Sequence, residues 1–416
     1  MTREQRIVTV SSTAHFLTHM FILIFPAVVV PYARETGQPL SAVFGLGFMM
    51  YLLYGALAIP AGYLADHWSR IGILRICMGG MGLFSLLAGS TADPALFALA
   101  LAGIGAACGL YHPAGLGLIS HEIDRQGKAH GINGIFGNFG IAAAPLFAGG
   151  VMLFFDWRWV YWAGAFLGFA GVALTYALPF TVTSHSDLEK KKGADPHRAD
   201  HWLWFGVLCV AMTFAGLTYR ANMTALPAYF ETEAAGLARW LASALPDGAT
   251  ADRLSGAAGL MVSSVFMVSM VGQWVGGRSA DRFDLRLAYL SWQALSFPFV
   301  VGMALFAGFP LYLAAMGHVF FALGMQPIEN SLVGKLLPRR WLSTGYGIKF
   351  TLTFGVGSLA VKQVAWVEER GGLRDLYPML AGEIGVIVAF AALLWGVSRR
   401  AMPRIANDPS SGDPPA

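Results

Sequence analysis

Ionisable side chains are sparse within the long apolar stretches of this chain, so each can be weighed for the chemistry it brings. His15 and His19 stand four positions apart, which puts both imidazoles on one face of a helix. Such a pair can pass a proton, because imidazole titrates near neutrality, or it can give two ligands to a metal. No thiolate or methionine cluster accompanies the pair, so no resident metal is expected, and no motif calls for a cofactor. Arg220 lies deep in a second apolar stretch, where an ionisable group is costly unless it faces a cavity or a partner. Glu329 and Lys349 fall near the same end of two successive stretches and are expected to meet. That pair reads equally as a structural ion pair or as a unit that binds substrate or a proton. His112-Pro113 and Gln326-Pro327-Ile328-Glu329-Asn330 form a third set. A proline frees a backbone carbonyl and bends a helix, which can line a cavity, so Pro113 reads as a gating position and His112, Gln326 and Asn330 as weaker solute contacts. His318 and Glu383 fit either a cavity or a bond to a neighbouring helix.

The elements that hold these groups follow from composition. Of 416 residues 56% are hydrophobic and 12% charged, about half the charge of a soluble domain. Runs of roughly 20 apolar residues are long enough to cross a bilayer as helices, and about twelve occur, the first over 7–31 and the last over 373–398. The expected fold is therefore an all-α membrane protein of about twelve transmembrane helices. Residues 1–180 form one six-helix bundle, 181–200 a solvated linker with the run Glu189-Lys190-Lys191-Lys192, and 201–400 a second bundle; 401–416 form a disordered tail.

The halves are copies. Gly62-Tyr63-Leu64-Ala65-Asp66 recurs as Gly277-Arg278-Ser279-Ala280-Asp281, each in a short polar break. His19 to Ala27 lines up with Arg220 to Ala228, ending in Phe25-Pro26-Ala27 and Leu226-Pro227-Ala228. His19 and Arg220 thus hold equivalent places, and a basic nitrogen at one depth in both halves points to a central path. Duplicated membrane halves with a path between them are the architecture of secondary transporters. In each break a carboxylate can hold helix N-termini, with Gly62 and Gly277 allowing close approach and Arg70 and Arg282 completing a latch.

Most Lys and Arg residues fall on the side that carries both termini, among them Arg70, Arg75, Lys190, Lys192, Arg339 and Arg399. The positive-inside rule places that side in the cytoplasm. The formal charge of +4 belongs to these flanks, so no nucleic-acid partner is expected. The first apolar run carries His15 and His19 and is expected to be retained as a span and not cleaved as a signal. Cys77, Cys108 and Cys209 lie in apolar runs without CxxC spacing and read as core. In the external loop from Thr232 to Arg253, a short helix over Leu237–Leu245 is expected to lie at the interface. No Gly-x-Ser-x-Gly, His-Glu-x-x-His or phosphate-cradling Gly-Lys motif is present, so no enzyme is expected.

The loop Gly62-x-Leu64-Ala65-Asp66-x-x-x-Arg70 resembles the signature of the major facilitator superfamily, and its second copy with Asp281-Arg282 strengthens the likeness. Within that superfamily the chain is most similar to the fosmidomycin-resistance branch, through His15, through Gly103-Ile104-Gly105 with His112-Pro113, and through Gly137-Asn138-Phe139-Gly140 with Pro145-Leu146. The chain departs in carrying His67, Ser69 and, where the branch commonly has an acid, His19. The resemblance implies proton-driven efflux of a drug or metabolite across the inner membrane.

The expected function is proton-coupled alternating access for a small, anionic or amphipathic solute, by a monomer whose partners are solute, protons and lipid. Solute contacts are assigned to His15, His19, Asn138, Arg220, Asn222, Gln326, Asn330 and Lys349, and proton coupling to His15, His19 or Glu329. A transition-metal or metal-chelate transporter using His15 and His19, with His112 as an optional third ligand, is one alternative. A non-transporting receptor or scaffold of the same fold is the other.

Overall fold

The computed structural model describes residues 1–123, 126–181, 200–244, 251–337 and 342–401, and among them every regular element is helical. The expected linker and tail fall almost wholly outside these residues, as does the side chain of Asp66. Among the described residues twelve helices are long and apolar enough to span a membrane. The first bundle comprises α1 (Arg3–Thr36), α2 (Leu40–Ala65), α3 (Arg70–Gly89), α4 (Pro94–Ile119), α5 (Gly131–Met152) and α6 (Trp157–Ala177). The second comprises α7 (Trp202–Glu233), α8 (Arg253–Arg282), α9 (Leu285–Leu305), α10 (Gly308–Leu336), α11 (Gly347–Gly371) and α12 (Leu373–Ser398). An even number of spans leaves both termini on one side, called here the termini side.

Local sequence explains where these helices start. Thr2 and Gln5 form a capping box at α1, Asp93 caps α4 ahead of Pro94, and Ser69, Asp156 and Asp284 cap α3, α6 and α9. Each cap satisfies amide donors that lipid could not. The chain breaks and restarts helix at Tyr111 within α4 and at Gln326 within α10, in both cases just ahead of a proline. α11 is interrupted by a π-turn over Thr351–Gly355 and a 3-10 turn over Val356–Ser358. The short helix in the loop after α7 spans Ala235–Ser243, with Ala238 and Ala242 buried and Trp240 exposed.

α1 is the most buried span and packs on α5, α6 and α7. On the side away from the termini the halves close on each other. α5 lies against α8 backbone to backbone: a Cβ on Gly149 would stand 2.6 Å from the Gly256 carbonyl oxygen, and one on Gly259 3.0 Å from that of Pro145. Ser263 Oγ donates to the Ala142 carbonyl at 2.6 Å in the same seam. Gly55 of α2 meets the backbone of Gly355 in α11. Arg34 of α1 pairs with Glu231 of α7, whose second oxygen accepts from Ser255 Oγ at 2.7 Å. Towards the termini this close backbone seam ends, for a Cβ on Gly131, Gly134 or Gly277 would meet nothing within 4 Å.

Candidate functional site

A cavity of about 270 Å³ occupies the space between the bundles. Its lining includes His15, His19, His112, Asn138, Asn222, Gln326, Asn330 and Lys349, together with Tyr219, Gln273, His318 and Glu329. Side chains far apart in sequence are brought to one space because α1, α4, α5, α7, α8, α10 and α11 each turn a polar position inward.

The wall from the first half is imidazole-rich. The ring centroids of His15 and His19 are 4.9 Å apart, and His112 stands 5.3 Å from the first and 5.5 Å from the second. One nitrogen from each ring falls within 4.8 Å of the others. His15 Nδ1 donates to the Asn133 backbone carbonyl at 2.8 Å. A carbonyl only accepts, so Nδ1 holds the proton and Nε2 keeps its lone pair. The ring also stacks on Tyr111, whose hydroxyl donates to Asn133 Oδ1 at 3.0 Å. It fits because position 137 is glycine: a Cβ there would lie 2.4 Å from the imidazole. His112 Nε2 is 3.0 Å from the Tyr54 hydroxyl, and its Nδ1 is buried without a partner. His112 further stacks on Phe350 and Phe354 of α11, across the boundary between halves.

Arg220 is 1% exposed and lies behind the lining instead of in it. Its guanidinium carbon sits 4.0 Å over the Tyr51 ring of α2 and 5.6 Å from that of Tyr219. The stacking supplies a cation–π contact, yet Nε and Nη1 have no hydrogen-bond partner. No carboxylate pairs with Arg220 among the described residues. Arg220 is close enough to His19 for their charges to interact.

The wall from the second half is organised around a carboxylate. Lys349 Nζ lies 2.8 Å from Glu329 Oε1 and also donates to Asn330 Oδ1. The Tyr289 hydroxyl donates to Glu329 Oε2 at 3.2 Å. Both ions are nearly inaccessible, so each answers the other's desolvation. Glu383 accepts from Thr218 at 2.9 Å and from Gln363 at 2.7 Å, with no cation beside it among the described residues. His318 Nδ1 bonds Ser296 Oγ at 2.9 Å. Asn222 Oδ1 accepts from the Tyr377 hydroxyl at 3.4 Å. A chain of amides crosses the cavity: Asn138 of α5 bonds Gln273 of α8, and Gln273 Nε2 donates to Gln326 at 3.1 Å.

The residues assigned to a latch lie apart from this cavity. Gly62 packs near Pro113, and Arg70 is buried at the start of α3, its Nε 3.5 Å from where a Cβ on Gly117 would be. In the second copy Asp281 and Arg282 are exposed, and Gly277 meets nothing close. The buried cation there is Arg286, 1% exposed, held by Asp284 at 2.7 Å and by Ser398 Oγ at 3.0 Å. Sequence reading by motif alignment picks Arg282; a count of which arginine follows the α9 cap picks Arg286. Tyr51, Tyr54, Asn133, Gln273 and Tyr289 also belong to the site and were not singled out by spacing. Two of these, Asn133 and Gln273, are amides inside apolar spans, a signal that polar groups in hydrocarbon seek each other.

A family model described as Major Facilitator Superfamily matches residues 11–361. Among solved structures, a bacterial homolog to the human lysosomal transporter Spinster, inward-facing and occupied, is 14% identical with a TM-score of 0.70, over 99% of this chain and 100% of that one. Its inward-facing, unoccupied form gives 0.71 at the same identity and coverage. The peptide transporter POT in complex with sulfate gives 0.73 at 13% identity, over 97% and 96% of the two chains. At such identities the likeness is one of fold. No curated protein matches the chain by sequence.

Proposed function

The chain belongs to the major facilitator superfamily, a family of secondary transporters and not of enzymes, and from that premise we propose that it carries a small anionic organic solute by proton-coupled alternating access. The observation that carries this reading is Arg220. A buried guanidinium with two unpartnered nitrogens, at the meeting of the halves, is costly unless the working cycle supplies an anion. Its planar fork suits a carboxylate or phosphonate. His15, His19, Asn138, Asn222, Gln326 and Asn330 supply the remaining polar contacts from the cavity wall.

Glu329 is the proposed proton carrier. The role rests on its contact with Lys349, which the cycle would have to make in one access state and break in the other. The Lys and Arg asymmetry supports cytoplasmic termini in an inner membrane. The likeness to the fosmidomycin-resistance branch supports efflux of a drug or metabolite. Arg70, with Arg286 in the second copy, is the proposed anchor of the loop latches, and the bends at Pro113 and Pro327 the points where α4 and α10 flex.

The test begins with thermal shift on purified protein against a panel of carboxylates and phosphonates, since a ligand stabilises the state it binds. A solute that raises the unfolding temperature of wild type and not of Arg220→Gln supports the reading. Equal stabilisation of both would make Arg220 structural.

A further inference from the structure

We propose that His15, His19 and His112 form a binding site for a late first-row divalent cation, Co²⁺, Ni²⁺, Cu²⁺ or Zn²⁺, open to the cavity on one side. Spacing in α1 brings two imidazoles together, and the restart of α4 at Tyr111 swings a third against them, so that one nitrogen of each lies within 4.8 Å of the others. Three neutral imidazoles with a fourth position left open is the donor set of borderline metals. Two of the rings carry the outer bonds that metal ligation needs. His15 donates its Nδ1–H to the Asn133 carbonyl, which leaves Nε2 bare in the neutral ring, and the Tyr54 hydroxyl can accept from Nε2–H of His112, the tautomer in which its buried, unpartnered Nδ1 is bare to coordinate. Neither nitrogen of His19 has a partner among the described residues, and its ring lines the cavity.

Bonds of about 2.0 Å in a tetrahedral site set the nitrogens roughly 3.3 Å apart. That is closer than the 4.8 Å seen here, so metal binding must draw the three rings together. Arg220 is near enough to His19 for their charges to interact, and it opposes a bare dication. The open position thus favours an anionic fourth ligand that also neutralises the guanidinium. That last clause rests on the anionic-solute reading, whereas the three-imidazole site does not.

The experiment is a Co²⁺ titration of untagged wild-type protein in detergent, read by visible ligand-field absorption. A single saturable site with the intense bands of four-coordinate Co²⁺, bleached by Zn²⁺, is expected. His19→Gln and His112→Gln should each lose the bands, while Arg220→Gln should reach saturation at a lower Co²⁺ concentration than wild type. Wild type that shows only the weak spectrum of hydrated Co²⁺ overturns the proposal without reference to any variant. Persistence of the bands in His19→Gln and His112→Gln overturns it too. Failure of the anionic-solute reading appears elsewhere, in the thermal shift of Arg220→Gln with solute.

Discussion

The two walls of the cavity hold their ionisable groups in opposite ways. On the second-half wall Glu329 is met by Lys349 and Tyr289, and Lys349 also by Asn330, so charge is answered from within. On the first-half wall three imidazoles gather with no carboxylate among them, and the cation that approaches, Arg220, keeps two nitrogens unpartnered. The ion pair of one wall is answered as it stands, though Gln293 Nε2 in the same wall has no partner. The other has bonding capacity to spare, and spare capacity is what a solute or ion can use.

The sharpest way to break this contrast is Glu329→Gln. It leaves Lys349 buried without its counter-charge, a change that costs on the order of 3–5 kcal/mol when a buried pair loses one member. Gradient-driven uptake in proteoliposomes is expected to vanish while counterflow in the same vesicles persists. Intact gradient-driven uptake would move the proton role to the histidines. A double variant, Glu329→Gln with Lys349→Met, should recover much of the lost thermal stability and none of the coupling, which separates the structural share from the functional one.

A smaller effect is expected from the open wall. Arg220→Gln removes a charged donor worth roughly 1.5–3 kcal/mol to an anionic partner, so affinity for a confirmed solute should fall about 10- to 100-fold. Arg220→Lys keeps the charge and loses the fork, and should fall in between. Calorimetry on the purified variants decides it. Unlike Glu329→Gln, neither change should lower stability by the cost of an orphaned ion, since no carboxylate loses a partner.

Gly149→Val tests whether the walls depend on the closed side. Its Cβ would meet the Gly256 carbonyl, and overpacking of this kind costs about 1–3 kcal/mol. Spin labels placed on the exposed residues of α5 and α8 should report wider separation on that side and narrower on the termini side. The least effect is expected of Arg34→Gln. Its pair with Glu231 is 39% exposed on the arginine side, and such pairs contribute at most about 1 kcal/mol. The same labels should move in the same direction as for Gly149→Val but less far.

What the sequence makes legible follows from the range of the forces involved. Twelve spans can be read because hydrocarbon imposes length and apolarity on every residue of a helix. The meeting of Glu329 with Lys349 is readable because both lie near one end of adjacent spans. The His15–His19 face is set by helical periodicity alone. The approach of His112 is not, since it depends on where α4 restarts and how α4 leans on α1. Arg220 was legible as a buried cation, but its seat over Tyr51 is a contact between halves and depends on which side of the molecule is closed. Arg286 was missed for a different reason. Motif copies align by letters, while burial follows the helix cap, and Asp284 caps α9 three residues beyond Asp281.

In the proposed alternating access, the glycine seam between α5 and α8 would lower the barrier to moving one half on the other. Where large side chains interdigitate, separating two helices means lifting each knob from its hole and re-solvating it, and the barrier grows with every one. Along Gly149, Gly256 and Gly259 the contact is mainly backbone on backbone, with the Leu153 side chain seated against Gly256. Few knobs need lifting there, so the proposed access states would be held apart largely by polar clasps such as Arg34 with Glu231 and Ser263 with the Ala142 carbonyl.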